Sequence, residues 1–147
     1  MHMFIMPFVI LWIWRAYNSF MFHPALVLLA SLSLLGGFCF EIARKIHAPG
    51  AERETVDSYS KSLGFIASVV IVLLFLLAGV IVQCYLLQQI GSRLWAFVII
   101  ALLFLLTSIA YSIAARSKEE KKLRLSELFV SLFMLISYVS IIIEVQF

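Results

Sequence analysis

Apolar residues run almost unbroken through five stretches of this chain, at 4–20, 25–46, 64–89, 94–115 and 126–145, and the charged residues collect in the short segments between them. Each stretch approaches the roughly 20 residues that a helix needs to cross the hydrocarbon core of a bilayer. The pattern predicts an all-α fold, a polytopic transmembrane bundle of about five helices forming one domain over residues 1–147. The first stretch is the weakest. Pro7 interrupts it, and Arg15, Asn18 and Ser19 dilute its end. A proline in a first helical turn costs little, so an incomplete or tilted first helix is expected. No long Gly/Ser/Pro tract, repeat or low-complexity segment divides the chain.

Composition agrees with the pattern. At 64% hydrophobic and 13% charged residues, with a mean hydropathy of +1.10, a chain of 147 residues cannot hide its apolar surface inside a water-soluble domain. The formal charge of +3 would suit nucleic acid, but the basic residues fall mostly in two loops, 47–63 and 116–125, and at the helix end just before the first of them. With five crossings, one side receives Arg44, Lys45, Arg53, Lys61, Arg116, Lys118, Lys121, Lys122 and Arg124, and the other only Arg15 and Arg93. Nine against two makes the two basic loops cytoplasmic, with the N-terminus inside, the C-terminus outside, and a plasma (inner) membrane location. Trp12, Trp14, Tyr17 and Trp95 then gather near the outer interface. Met1 to Leu11 contains no Lys or Arg ahead of its apolar core, so no cleaved signal is expected. Cys39 and Cys84 fall near opposite faces and read as buried free thiols. Ser117 stands three residues before Glu120, a capping-box spacing that predicts a short solvated helix over Ser117 to Arg124.

The segment from Phe40 to Gly64 holds four of the eight acidic residues and the only aspartate. Ala30, Ser33, Gly37 and Glu41 recur at spacings of three and four, which puts small residues and one carboxylate on a single helix face. Small residues admit close approach by another helix. Glu41 reaches Arg44 or Lys45 at the next turn, holding a cation at the membrane surface. A cationic rim followed by Glu52, Glu54 and Asp57 suits a phosphate-bearing ligand: Lys and Arg bind its oxygens, and carboxylates hold a hard cation bridging to them. Tyr59 and Ser60 add hydroxyls.

The run Glu41-x-x-Arg44-Lys45-Ile46-x-Ala48-Pro49-x-x-Glu52, continued by Asp57-Ser58-Tyr59-Ser60 and Gly64, resembles the cytoplasmic loop in the second half of UbiA-family membrane prenyltransferases. Members of that family have nine transmembrane helices and two acidic loops, and this chain would correspond to helices five to nine with the second loop. The resemblance implies transfer of a polyprenyl group from an isoprenoid diphosphate to a lipid-soluble acceptor, with Mg2+ on the diphosphate. It assigns the metal to Asp57 with Glu52 or Glu54, and the diphosphate to Arg44, Lys45, Lys61 and Tyr59. The chain departs from the family pattern in lacking the first acidic loop, and Asp57 has no aspartate partner. An allylic diphosphate needs its charge neutralised from several directions to ionise, so the chain alone is expected to be inactive and to need a partner membrane chain supplying the missing half.

Other classes leave their own marks. A haem clasped by two histidines is excluded, since His23 and His47 flank one helix about 24 residues, or roughly 36 Å, apart. A small transporter or channel subunit would use Glu144 as an intramembrane carboxylate. A non-catalytic assembly subunit would use the small-residue face of Thr107, Ala110 and Ala114. No nucleophile-base-acid set, CxxC pair, phosphate-cradling glycine loop or nucleic-acid motif competes with these readings.

Overall fold

A computed structural model describes residues 2–17, 24–50 and 58–146, with the side chains of the first helix described for 5–13. Six helices follow in order: α1 (His2–Tyr17), α2 (Pro24–Arg44), α3 (Tyr59–Leu63), α4 (Phe65–Ile90), α5 (Leu94–Ser117) and α6 (Glu120–Gln146). No strand occurs among the described residues. The all-α transmembrane bundle read from the sequence is the fold observed. α2, α4, α5 and α6 are each long and apolar enough to cross a bilayer, and the chain is a multi-pass membrane protein. The 16 residues of α1 span only about 24 Å, short of a roughly 30 Å hydrocarbon core.

α2 packs against α1, α4 and α6, while α5 packs against α4 and α6. The interior is built from small and polar residues as much as from large ones. Ala43, Ala96, Ala114, Ser68, Ser126 and Thr107 are buried, whereas Leu74, Leu105, Leu128, Leu135 and Ile142 face outward. Lipid tails are as apolar as leucine, so helix association in a bilayer rests on close packing and interhelical hydrogen bonds. The buried hydroxyls mostly bond within their own helix: Ser68 Oγ donates to Gly64 O (2.9 Å), Thr107 Oγ1 to Leu103 O (2.7 Å) and Ser126 Oγ to Lys122 O (2.9 Å). Gln83 is the exception. Fully buried on α4, its Nε2 donates to Ser137 O (3.3 Å) and Ser140 Oγ (3.4 Å), pinning α4 to α6. The Phe38 and Phe75 rings stack with centroids 5.7 Å apart across α2 and α4.

The connections are tight where helices turn back. Gly91 takes a left-handed conformation (φ 78°), and its N–H and that of Ser92 cap Gln88 O and Leu87 O, the closing bonds of a Schellman motif. Gly64, at φ 92°, turns the chain from α3 into α4. Lys118 closes α5 in the left-handed region (φ 53°), donating its N–H to Ala114 O (2.9 Å).

This corrects the expectation for 116–125. No separate solvated helix forms there, because α5 continues to Ser117 and α6 starts at Glu120, so the charged segment becomes the first turns of the last helix. Ser117 is not an N-cap; its Oγ points back to Ala114 O (3.5 Å). The small-residue face of α5 is buried at Thr107 and Ala114, but Tyr111 rather than Ala110 fills the space between them. Trp12 is exposed and Trp95 packs on the core, while the side chains of Trp14, Arg15 and Tyr17 lie outside the described residues. Cys39 and Cys84 are free thiols, as read from the sequence.

Inward and outward faces respond differently to the same change in size. Ala43→Leu, at a residue only 1% exposed, should destabilise the bundle by about 1–3 kcal/mol through overpacking. Leu105→Ala on the lipid face should change stability by less than about 0.5 kcal/mol. Reversible unfolding in mixed micelles measures both.

Candidate functional site

Both basic segments meet at one end of the bundle, where α2 ends, α3 and α4 begin, α5 ends and α6 begins. Arg124, one turn into α6, joins them. Its guanidinium binds Glu120 Oε1 through Nε (2.9 Å) and Nη2 (2.6 Å), and Glu127 Oε2 through Nη1 (2.7 Å). The same group donates to two carbonyls at the end of α2, Arg44 O (3.1 Å) and Ile46 O (3.4 Å). A cation at a helix C-terminus meets unsatisfied carbonyls and the negative end of the helix dipole. Glu120 completes the joint from the other side, accepting from the Ala48 N–H (2.8 Å) and lying 3.2 Å from His47 Nδ1.

Glu120 and Arg124 lie ahead of the apolar stretch of α6, among Lys121 and Lys122, at the polar end of the bundle. Partial burial raises the Glu120 carboxyl, but the Ala48 N–H, the Arg124 guanidinium and His47 outweigh it and hold the group below its ordinary value.

The chain leaving α2 is fastened to α3 as well. Tyr59 N–H donates to Lys45 O (3.2 Å) and His47 N–H to Ser60 Oγ (3.1 Å). Ser58 caps α3, its Oγ accepting from Lys61 N–H (3.2 Å) and from Ser60 Oγ (3.2 Å).

Of the residues assigned to a diphosphate, Lys45 is already engaged. Its ammonium pairs with Glu41 Oε1 at 2.8 Å and lies 5.9 Å from the centre of the Tyr59 ring. Glu41 thus chooses Lys45 over Arg44. The Arg44 side chain is exposed, and no carboxylate among the described residues forms an ion pair with it. Lys61 is exposed on α3, directly after Tyr59 and Ser60. The structure therefore brings Arg44, Lys45 and Tyr59 together at the end of α2. The metal assignment to Glu52, Glu54 and Asp57 lies outside the described residues. Among those described, no group of three or more His, Cys, Asp or Glu side chains is placed to hold a metal ion.

From Arg44 and Glu41 a groove of about 430 Å³ runs between α1, α2 and α6, lined by Met6, Ile10, Ser33, Gly37, Phe40, Met134 and Tyr138 as well. Three members of the predicted helix face, Ser33, Gly37 and Glu41, line it. Gly37 and Ser33 face the groove from α2, and Tyr138 faces it from α6. The result is a charged mouth above an apolar trough.

Comparison with known proteins adds no relatives. The chain matches no protein-family model, no curated protein and no solved structure.

Sequence reasoning missed Arg124, Glu120 and His47 as partners, because His47 lies more than 70 residues from the other two and any charged loop contains such residues. It also missed the groove, since Met6, Ile10 and Met134 carry no signal beyond hydrophobicity. Glu144, singled out as an intramembrane carboxylate, accepts from Arg93 N–H (3.1 Å) at the opposite end, where α5 begins.

The joint makes a pH prediction. Because Glu120 titrates below its ordinary value when folded, its bonds contribute stability above the ordinary carboxylate range and lose it as pH falls through the folded value. Glu120→Gln should remove that acid-dependent loss, and Arg124→Ala should lower stability by about 1–2 kcal/mol at neutral pH, allowing for partial exposure. Thermal unfolding of the detergent-solubilised chain across pH checks both.

Proposed function

We propose that this chain binds an amphipathic lipid with an anionic headgroup, the headgroup at Arg44 and the apolar tail in the groove between α1, α2 and α6. The observation that carries the reading is the groove itself: an exposed guanidinium without a carboxylate partner among the described residues stands at the mouth of an apolar trough. Glu41 makes its ion-pair contact with Lys45, at 2.8 Å, and acts on Arg44 only through its charge at longer range. Arginine suits phosphate, offering several donors in a planar fork.

An isoprenoid diphosphate is the ligand that the UbiA resemblance of 41–64 implies, with Mg2+ held by Asp57 and Glu52 or Glu54 and further charge from Lys45, Lys61 and Tyr59. On this reading the chain is half of a prenyltransferase-like bundle. It binds the ligand weakly by itself, and prenyl transfer requires a partner membrane chain that contributes the missing acidic loop. The distribution of basic residues sets the orientation: the end bearing Arg44 and Arg124 faces the cytoplasm of a plasma (inner) membrane.

The test begins with the tagged chain isolated from its membrane in mild detergent, with co-purifying proteins and lipids identified by mass spectrometry. A stoichiometric helical partner bearing an Asn/Asp-rich loop is expected, together with prenyl transfer by the pair and none by the chain alone. Arg44→Gln should weaken binding of an isoprenoid diphosphate about tenfold, the loss of one charge-assisted contact near water. Equal binding by Arg44→Gln and by a groove-filling Gly37→Leu would refute the assignment of this groove.

A further inference from the structure

His47 Nδ1 lies 2.9 Å from Arg124 Nη2 and 3.2 Å from Glu120 Oε1. One ring nitrogen cannot satisfy both partners in the same way. A guanidinium nitrogen always donates, so the contact with Arg124 requires Nδ1 to offer a lone pair, with the ring neutral and its proton on Nε2. The contact with Glu120, a carboxylate and therefore an acceptor, becomes a hydrogen bond only when Nδ1 carries a proton. The two contacts belong to two states of Nδ1, bare and proton-bearing, and uptake of a second proton by the ring converts the first into the second.

We infer that His47 is a proton-operated selector that binds Arg124 when neutral and Glu120 when charged, and so governs how firmly Arg124 caps the end of α2. The nitrogen that faces His47, Nη2, is also the one that donates to Ile46 O at 3.4 Å, and its neighbour Nη1 donates to Arg44 O. Protonation puts a donor against a donor across 2.9 Å. Nη2 must then turn from His47 toward Glu120 Oε1, which it already contacts at 2.6 Å, and its longer bond to the Ile46 carbonyl (3.4 Å) is given up. Glu120 stays in place, because the Ala48 N–H and Arg124 Nε still hold it, and it takes the new Nδ1–H. His47 and Glu120 are partnered in both states, and the Ile46 carbonyl is the group that loses its donor on protonation, so the two states differ in how α2 is capped.

The surroundings let His47 act in this way. Among the described residues, the charged and titratable groups at this end are Glu41, Arg44 and Lys45 on α2, Tyr59 and Lys61 on α3, Arg116 at the end of α5 and Lys118 just after it, and Glu119, Glu120, Lys121, Lys122, Arg124 and Glu127 on α6. Glu41 is taken by Lys45 and Glu127 by Arg124. That leaves Glu120 and Arg124 as the groups whose side chains reach the His47 ring. The ring is partly exposed, so protons exchange with water. Histidine is the residue type that changes charge between about pH 5 and 8. The end of α2 governed by this exchange carries Glu41 and Arg44 at the groove mouth, but the exchange itself does not depend on what the groove binds.

The full chain in detergent or nanodiscs, labelled with 15N in arginine and histidine, tests the inference by NMR. The Arg124 Nε–H signal is assigned by its disappearance in Arg124→Lys, and the His47 ring by its disappearance in His47→Gln. In the unaltered protein the Arg124 signal should shift with pH along the titration curve of the His47 ring, with the same midpoint. In His47→Gln, whose amide oxygen accepts from Arg124 at every pH, the Arg124 signal should stay in its high-pH position until Glu120 titrates. An Arg124 signal that stays fixed while the His47 ring titrates would overturn the inference, and so would a shift with unchanged midpoint in His47→Gln. The first comparison is made within the unaltered chain, so it stands even if a variant fails to fold.

Discussion

In hydrocarbon no water is available to a backbone N–H or C=O, and every such group must be satisfied by the chain itself. That requirement makes α2, α4, α5 and α6 continuous helices, and it restricts the connections between them to turns that close their own hydrogen bonds. At one end Gly91 and Ser92 return their N–H groups to the last turn of α4. At the other, Lys45 and Ile46 return their N–H groups to Ile42 O and Ala43 O, and Arg124, 80 residues from Arg44, supplies donors to the Arg44 and Ile46 carbonyls beyond them. The largest polar cluster in the structure thus stands where the chain leaves lipid.

The same requirement explains the interior. The Ser68, Thr107 and Ser126 hydroxyls turn back on their own helices, which leaves them inert as helix-to-helix contacts and lets these small residues bring backbones close. Gln83 cannot do this with both ends of its amide, and it reaches across to α6 instead. Its Oε1 and the Ser137 hydroxyl have no hydrogen-bond partner among the described residues. The pairing of α4 with α6 therefore rests on a few polar contacts and on shape, not on an apolar surface that lipid would cover equally well.

Charge is disposed in two layers at the polar end. Closest to the helices, Glu41–Lys45 and the Arg124 cluster are internally neutralised and hold elements together. Farther out, Arg44 projects from the same frame with its charge exposed. A cluster that is structurally occupied cannot also be a ready ligand site, so Arg44 carries the binding proposal and the inner groups the proposal of a proton-governed joint.

The sequence by itself determined that the chain lives in lipid and that four of its stretches, now α2, α4, α5 and α6, are long and apolar enough to cross it, because hydropathy and span length are local properties. It also put Glu41, Ser33 and Gly37 on one face, since that follows from helical periodicity. It did not show which face of α4, α5 or α6 turns inward. Those helices are apolar all round, so Leu74 on the outside and Leu76 on the inside look alike until neighbours are in place. Nor did it show that Glu120 and Arg124 belong to His47 and the end of α2, or that α1, α2 and α6 leave a groove between them. Only the tertiary structure decided those, because each depends on distances between residues remote in the chain, and a charge or a methionine carries no mark of the partner it will meet.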